Sequence, residues 1–326
     1  MAGLHDSLFK AAFELPENAA ALACCSLPSS LRACFDWSTL RARPGSFVDE
    51  QLRSRHTDLL FEVDSRAAAE RAYVYLLLEH QSRNDPRMPL RVSRYMDRIW
   101  ACFEQDNPSG PLPPILPIVV SHAPEGWTAP RRFHELFPGE LFAHAPELAA
   151  HVPSFELVVD DLRRTSDDEL GSRALAGFAK AVLWLLRDGR AGSRLLESMP
   201  AWVGLLDGLP LRSLTAIVNY LAGITSDPMI WEAFRANLRE QAPRAERDVM
   251  TLAEQWFQQG EAQGEAKGEL KGEAKVLTRQ LTSKFGELSE AHRVRLASAN
   301  VTELDRWADR VLFATSLAQV FDEPVD

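Results

Sequence analysis

The chain has 326 residues, 46% of them hydrophobic and 25% charged, and its 36 Lys and Arg against 46 Asp and Glu give a formal net charge of −10. That much apolar material can bury a substantial core in one larger domain with helical additions, while the net acidity argues against a chain-wide polyanion surface and confines any phosphate contact to a local cationic patch. No apolar run is long enough to cross a bilayer and no basic-then-apolar leader opens the chain, so the cytoplasm is the expected compartment with no membrane partner; Cys24, Cys25, Cys34 and Cys102 form neither a CxxC pair nor a zinc or redox motif.

In chain order, Asp6 to Phe13 and Glu17 to Leu27 read as helices, separated by Pro16 and ended by Pro28. Thr57 to Val63 and Ala72 to His80 are rich in β-formers and flank a small, polar stretch, which predicts a hairpin. Pro86 to Gln105 reads as an amphipathic helix. Its Met88, Val92, Tyr95, Ile99 and Phe103 make one face to pack on a sheet, and Arg87, Arg91, Arg94 and Arg98 make a narrow basic stripe beside it. Because this helix follows closely on Glu79, its arginines are expected near that residue, where they can hold a DNA backbone; an ordinary solvated face is the alternative.

Ile115 to Ser121 is a short buried strand that Pro117 assigns to an edge or to a strand start, and Phe155 to Asp160 is a further strand. From Asp168 the pattern turns helical: Leu170 to Arg187, Ser193 to Leu206, Leu211 to Ala222 and Pro228 to Ala242. Glycines then recur at 260, 264, 268 and 272. As one helix they leave a stripe without side chains along which a second copy of the chain can approach. Each interior glycine costs about 0.5–1 kcal/mol relative to alanine, so a linker is the competing reading. Val276 to Phe285 and Val301 to Val320 close the chain as a small helical module, with Leu281, Phe285, Leu288, Leu296, Leu304, Trp307, Leu312 and Leu317 packing together.

The chemistry concentrates on the hairpin. Asp58 and Glu79 stand at the ends of apolar runs, where a carboxylate is costly without a positive partner, and a divalent metal ion is one such partner. A centred loop would pair Val63 near Val74, Phe61 near Leu76 and Asp58 near Glu79, so that the acids face each other on adjacent strands. Gln81 then shares the face of Glu79 while His80 points away. This acid, then acid-x-polar arrangement suits Mg²⁺, and a slip of one residue would separate the acids onto opposite faces.

These segments resemble the PD-(D/E)XK nuclease core, and more closely the Rpn family of bacterial recombination-promoting nucleases and putative transposases. The residues that carry the resemblance are His5-Asp6-Ser7-Leu8-Phe9-Lys10, Pro44 to Glu50, Thr57-Asp58-Leu59-Leu60, Tyr73 to Ser82 and Arg94-Tyr95-Met96, over roughly the first half of the chain. The resemblance implies an α/β fold, a mixed sheet flanked by helices, and metal-dependent DNA cleavage. It implies Asp58 and Glu79 as metal ligands, the backbone carbonyl of His80 as a third, and Gln81 at the usual lysine position, where it can orient a water but supplies no charge. Asp6 is an accessory acid of the kind found on the first helix of some relatives, or a first-turn helix residue. On this reading residues 1–165 form the nuclease-like core, 166–258 an α-helical extension, 259–275 the Gly-rich helix or linker, and 276–326 the small helical module.

No GxSxG, P-loop, GxGxxG or HExxH motif competes with this site. A glycosidase pair of Asp58 and Glu79 lacks any sign of a sugar cleft. The reading from another class is a non-catalytic DNA-binding or assembly protein that keeps the fold. Asp160 and Asp161, at the end of a strand, are open to the same two readings as Asp6, a site acid or a plain structural residue, whereas His5, His56 and His122 have no partner spacing that marks them as ligands.

Overall fold

The structure is a computed structural model that describes residues 2–43, 58–66, 71–79 and 84–321, with the backbone alone described at 2, 58, 71–79 and 252–271. It divides into two compact units, Met1–Val249 and Met250–Asp326.

The first unit opens with α1 (Ala2–Phe13), α2 (Pro16–Ser26) and α3 (Ser29–Ala33), followed by strand β1 (Phe35–Ala42), which the sequence reading did not anticipate. Its buried residues are Phe35 and Leu40, an odd spacing that alternation does not produce, because the β1–β2 register shifts between Asp36 and Arg41. Strands β2 (Asp58–Ser65) and β3 (Arg71–Glu79) pair antiparallel as expected. Helix α4 (Met88–Asp106) then crosses over to β4 (Ile115–Ser121), which runs parallel to β3, and β5 (Val158–Asp161) runs parallel to β4. The sheet order is β1-β2-β3-β4-β5, so the sheet is mixed, with β4 interior. Pro117 is tolerated because β5 pairs with β4 only from Ile118 onward, which leaves one neighbour beside the residue that lacks an N–H.

The two faces of the sheet are covered differently. Met88, Val92, Tyr95, Met96 and Ile99 of α4 pack on Leu60, Ile115 and Val119, which is the face the amphipathic pattern foretold. On the opposite face, Ser26 at the end of α2 approaches the Asp160 carboxylate at 3.5 Å. Short helix α5 (Gly139–His144) lies in the long connection from β4 to β5.

The helical part begins with α6 (Asp167–Ser172) and α7 (Gly177–Asp188), two helices where one was expected over Leu170 to Arg187. The break has a purpose in packing: it lets Arg173 reach Asp160 with two hydrogen bonds of 2.6 and 2.7 Å. Ser166 caps α6 through a capping box with Glu169. Next come α8 (Gly192–Trp202), α9 (Leu211–Ile224) and α10 (Pro228–Gln241). Phe9 and Phe13 of α1, Leu183 and Leu185 of α7, and Ile217 and Leu221 of α9 are all fully buried.

Helix α11 (Pro243–Phe285) runs without interruption, so the segment from Gly260 to Gly272 has helical backbone throughout. Within the second unit, α12 (Glu290–Ser298), α13 (Val301–Phe313) and α14 (Leu317–Phe321) follow. Its core joins Leu277, Leu281, Leu288, Leu296, Leu304, Trp307, Val311, Val320 and Phe321, with Phe285 and Leu317 packed against it. Leu312 was expected in that core but is 66% exposed, since Val311 takes the inward position of the last turn. Among the described residues, no helix is long and apolar enough to cross a membrane.

Candidate functional site

The β2–β3 ladder sets Val63 opposite Ala72, Phe61 opposite Val74 and Asp58 opposite Leu77. The expected pairing was two residues away from this one. An even offset keeps each position on its face, because side chains alternate with a period of two. Asp58 and Glu79 are therefore diagonal rather than direct neighbours, on one face of the sheet, with Cα atoms roughly 7–8 Å apart in such a geometry. Leu60, two residues from Asp58, packs under α4, which identifies the face. Glu79 pairs with Ser121 on β4, and Ser121 with Asp161 on β5, so these positions share one level at the end of the sheet. His80 and Gln81 lie outside the described residues.

A polar frame borders this end. Asp161 Oδ2 accepts the backbone N–H of Trp127 at 2.8 Å and pairs with Arg164 Nε at 3.2 Å. Asn84, three residues beyond Gln81, donates from Nδ2 to the Gly126 carbonyl at 2.8 Å and to Thr128 Oγ1 at 2.9 Å. The chain leaving β3 is thus tied to the loop after β4, and that loop to the end of β5. Gly126 closes a turn by donating to the Ala123 carbonyl at 2.9 Å, with Pro124 at the second position and Gly126 at the fourth, the places a type I turn favours. The sequence reading missed Asn84, Gly126 and Arg164; the Pro-Glu-Gly run was the one signal available. Asp160 is committed to Arg173 on the other face, so neither strand-end acid is a spare carboxylate.

The four arginines separate along α4. Arg87 sits just before the first helical residue, where its backbone N–H donates to Asp85 Oδ1 at 2.8 Å, and Arg91 pairs with Asp85 at 3.3 Å. The helix runs away from the Glu79 end: Trp100 Nε1 donates to the Pro113 carbonyl, two residues before Ile115, which pairs with Tyr73 at the start of β3. Arg98 lies roughly 10 Å beyond Arg91 at 1.5 Å per residue. The expectation that the whole stripe stays beside the acids does not follow the course of the helix: Arg87 and Arg91 stand at its start, nearest to Glu79 in sequence, and the later members lead away. Arg94 is exposed and Arg98 half-buried farther along the helix.

Two features went unread in the sequence. On β1, Arg41 lies opposite Glu62 and bonds it at 2.6 Å, Arg43 Nε lies 3.3 Å from the same carboxylate, and Glu62 is 1% exposed. Hydrogen bonds to Asp64 and Glu62 hold the Arg41 guanidinium above its ordinary pKa. Glu62 shares the face of Asp58, so an ionic cluster flanks the candidate site on the edge strand. The second feature is a buried pair of imidazoles: His5 of α1 and His122, just after β4, have ring centroids 4.9 Å apart. Arg190 Nε donates to His5 Nε2 at 3.4 Å, which leaves His5 Nδ1–H to donate to the Tyr220 hydroxyl at 2.9 Å, while that hydroxyl donates to the Leu185 carbonyl at 3.2 Å. Burial pushes the Tyr220 phenol up in pKa. This relay brings α1, and half-buried Asp6 beside His5, to the end of the sheet that carries Glu79.

Two carboxylates are hard oxygen donors of the kind Mg²⁺ prefers, so the donor set at 58 and 79 fits such an ion in chemistry. Among the described residues, no group of three or more His, Cys, Asp or Glu side chains is placed to hold a metal.

Comparison with known proteins supports the resemblance to the Rpn family. The family model described as "Putative transposase, YhgA-like" matches residues 3–211. The chain belongs to this family, that of the Rpn proteins. The Rpn relatives include the recombination-promoting nuclease RpnD of Escherichia coli O157:H7, 27% identical over 77% of this chain and 92% of its own length. RpnC of E. coli strain K12, also named a recombination-promoting nuclease, is 30% identical over 78% of this chain and 81% of its own. RpnE of strain K12, named an inactive recombination-promoting nuclease-like protein, is 25% identical over 92% of this chain and 95% of its own. No solved structure matches.

Proposed function

We propose that this Rpn-family chain is a metal-dependent DNA endonuclease of the PD-(D/E)XK type, hydrolysing phosphodiester bonds with little sequence preference and promoting recombination by making breaks. The observation that carries the reading is the shared face of Asp58 and Glu79 at the end of the β2–β3 hairpin. Two further features support it: the antiparallel β1–β2–β3 meander followed by a helical crossover to parallel β4, and relatives whose names are those of nucleases.

Asp58 and Glu79 would hold Mg²⁺ or another divalent cation, with the His80 carbonyl as a further ligand. When bound, such an ion supplies Lewis-acid polarisation of the phosphate and a lowered pKa for water. Gln81 orients the attacking water by hydrogen bonding, without the charge a lysine would add. Arg87 and Arg91, followed along the helix by Arg94 and Arg98, hold the DNA backbone and read no bases, which accounts for low sequence preference. Asp6 is the accessory acid, and the helical repeat of glycines from Gly260 to Gly272 is a surface for self-association.

The relative named inactive, aligned over most of this chain, favours a second reading as a non-catalytic DNA-binding protein. Plasmid cleavage with and without Mg²⁺ decides between them, with Asp58→Ala and Glu79→Ala at equal concentration. Metal-dependent cleavage lost in both variants supports the endonuclease. DNA binding without cleavage by the unaltered protein supports the second reading, and cleavage that survives both changes rejects the site.

A further inference from the structure

The basic stripe on α4 leads away from the acids, whereas a second pair of arginines, far from it in sequence, comes back to them. Strand β5 ends at Asp161, level with Ser121 and Glu79 and on their face. The chain then turns through a short 3₁₀ helix, Leu162–Arg164, whose Leu162 is fully buried. Anchoring by Leu162 turns the next two residues outward: Arg163 is exposed, and the Arg164 side chain is 67% exposed.

Arg164 is also held in place. Its Nε pairs with Asp161 Oδ2 at 3.2 Å, and that ion pair leaves the two terminal amino groups of the largely exposed guanidinium unused. A Cβ built on Gly126 would lie 3.1 Å from that same Nε. Gly126 is in turn the acceptor for Asn84, three residues before Arg87. One connected frame, Asp161 to Gly126 to Asn84, therefore joins Arg164 to the segment that carries Arg87 at the Glu79 end.

The acids of this rim are mostly committed. Asp85 pairs with Arg91, Asp161 with Arg164, and Asp167 with Arg187 and Arg194. Glu125 and Asp168 are exposed nearby in sequence and oppose the patch in part. Among the described residues, neither Arg87 nor Arg163 makes an ion pair. Exposed guanidinium groups with free terminal N–H donors match phosphate oxygens in geometry and charge.

We infer that Arg163 and Arg164, together with Arg87, form a docking surface for the DNA phosphate backbone at the end of the sheet that carries Glu79. The inference rests on the nuclease reading and adds to it a second cationic element, placed by β5 rather than by the crossover helix. Two strand spacings, roughly 10 Å in all, separate the β3 and β5 positions at this level. A duplex backbone lying across the strand ends would meet Arg87 and Arg164 together.

The test is binding of a short labelled duplex followed by fluorescence anisotropy in metal-free buffer, over a salt series, for the unaltered protein, Arg163→Ala, Arg164→Lys and Arg163→Ala/Arg164→Ala. The expected result is weaker binding in the double variant and a shallower dependence of log affinity on log salt, by roughly 0.9 for each phosphate that is no longer neutralised. Arg164→Lys, which keeps the charge, should stay close to the unaltered slope. Arg163→Ala leaves every bond of the frame in place, so a shallower slope in that variant cannot come from unfolding of the loop. Unaltered affinity and slope in Arg163→Ala and in the double variant would overturn this surface while leaving the nuclease reading intact. No DNA binding by the unaltered protein would overturn both.

Discussion

Asp58 lies opposite Leu77 in the β2–β3 ladder, and Glu79 stands two residues farther along on the same face. The acids are therefore at diagonal positions on one face of the sheet. If they act as one site, the effects of removing them will not multiply. Asp58→Asn and Glu79→Gln should each lower metal-dependent plasmid cleavage by about a hundredfold or more, and the double variant should fall no further than the worse single one. Rates measured at saturating Mg²⁺ check this; a double variant slower by the product of the two factors would mean independent roles.

The Asp160–Arg173 pair is a different kind of acid site. Its side chains are 5% and 13% exposed, and two hydrogen bonds join Arg173, in the break between α6 and α7, to Asp160 on β5. Burial works against the Arg173 charge, yet the bond and charge of Asp160 lift its pKa above the ordinary value. Truncating one partner strands the other. Arg173→Ala should cost about 3–5 kcal/mol in urea unfolding, whereas Asp160→Asn/Arg173→Met, which removes both charges, should cost clearly less. Equal losses would show that packing, not charge, dominates there.

How far the sequence carried these sites follows from the range of the signals. Strands β2, β3 and β4 are legible as short runs rich in β-formers, and the buried face of α4 and most of the Met250–Asp326 core because a local period of 3.6 residues survives in them. Strand β1 is not, because its register shift breaks the alternation between Phe35 and Leu40. Arg173 hides inside an apolar helical pattern, and its meaning appears only once Asp160 is beside it. The same holds for His5 and His122, which meet through tertiary packing and carry no mutual spacing. For the acids, face parity is robust because an even slip of the ladder leaves it unchanged, while the pairing itself depends on where the loop is centred. The direction of α4 could not be read locally either, and it decides which of its arginines stay near Glu79.

Asp167 gives the molecule an acid-sensitive contact. Burial acts to raise its pKa, but the hydrogen bond and charge of Arg187, with smaller help from Trp184 and Arg194, hold it below the ordinary 3.8. A carboxyl with a lower pKa in the folded than in the unfolded chain stabilises the fold above the unfolded value, and that contribution disappears as pH falls through the folded value. Asp167 is 46% exposed, so solvent screening limits the effect to about 1 kcal/mol or less. In urea unfolding the gap between unaltered protein and Asp167→Asn should be present near neutral pH and should close below about pH 4, the ordinary carboxylate range. A gap of constant size down to the lowest accessible pH would refute the ionic origin.

Gly126 offers the sharpest test of the frame around the candidate site. Its φ of +79° lies in the left-handed region, where a Cβ costs about 1–2 kcal/mol. The added atom would also come within 3.1 Å of both Arg164 Nε and Asp161 Oδ2, a contact that presses on the ion pair itself. Gly139, by contrast, has nothing within 4 Å of a built Cβ and no left-handed backbone. Gly126→Ala should therefore lower the unfolding free energy by about 1–2 kcal/mol or somewhat more, and Gly139→Ala should be near neutral. If the Asp161–Gly126–Asn84 frame also fixes the chain that leaves β3, Gly126→Ala should slow cleavage beyond what its loss of folded protein explains, measured at a temperature where both proteins are fully folded. A variant that is destabilised but cleaves at the unaltered rate would show that the frame serves stability alone.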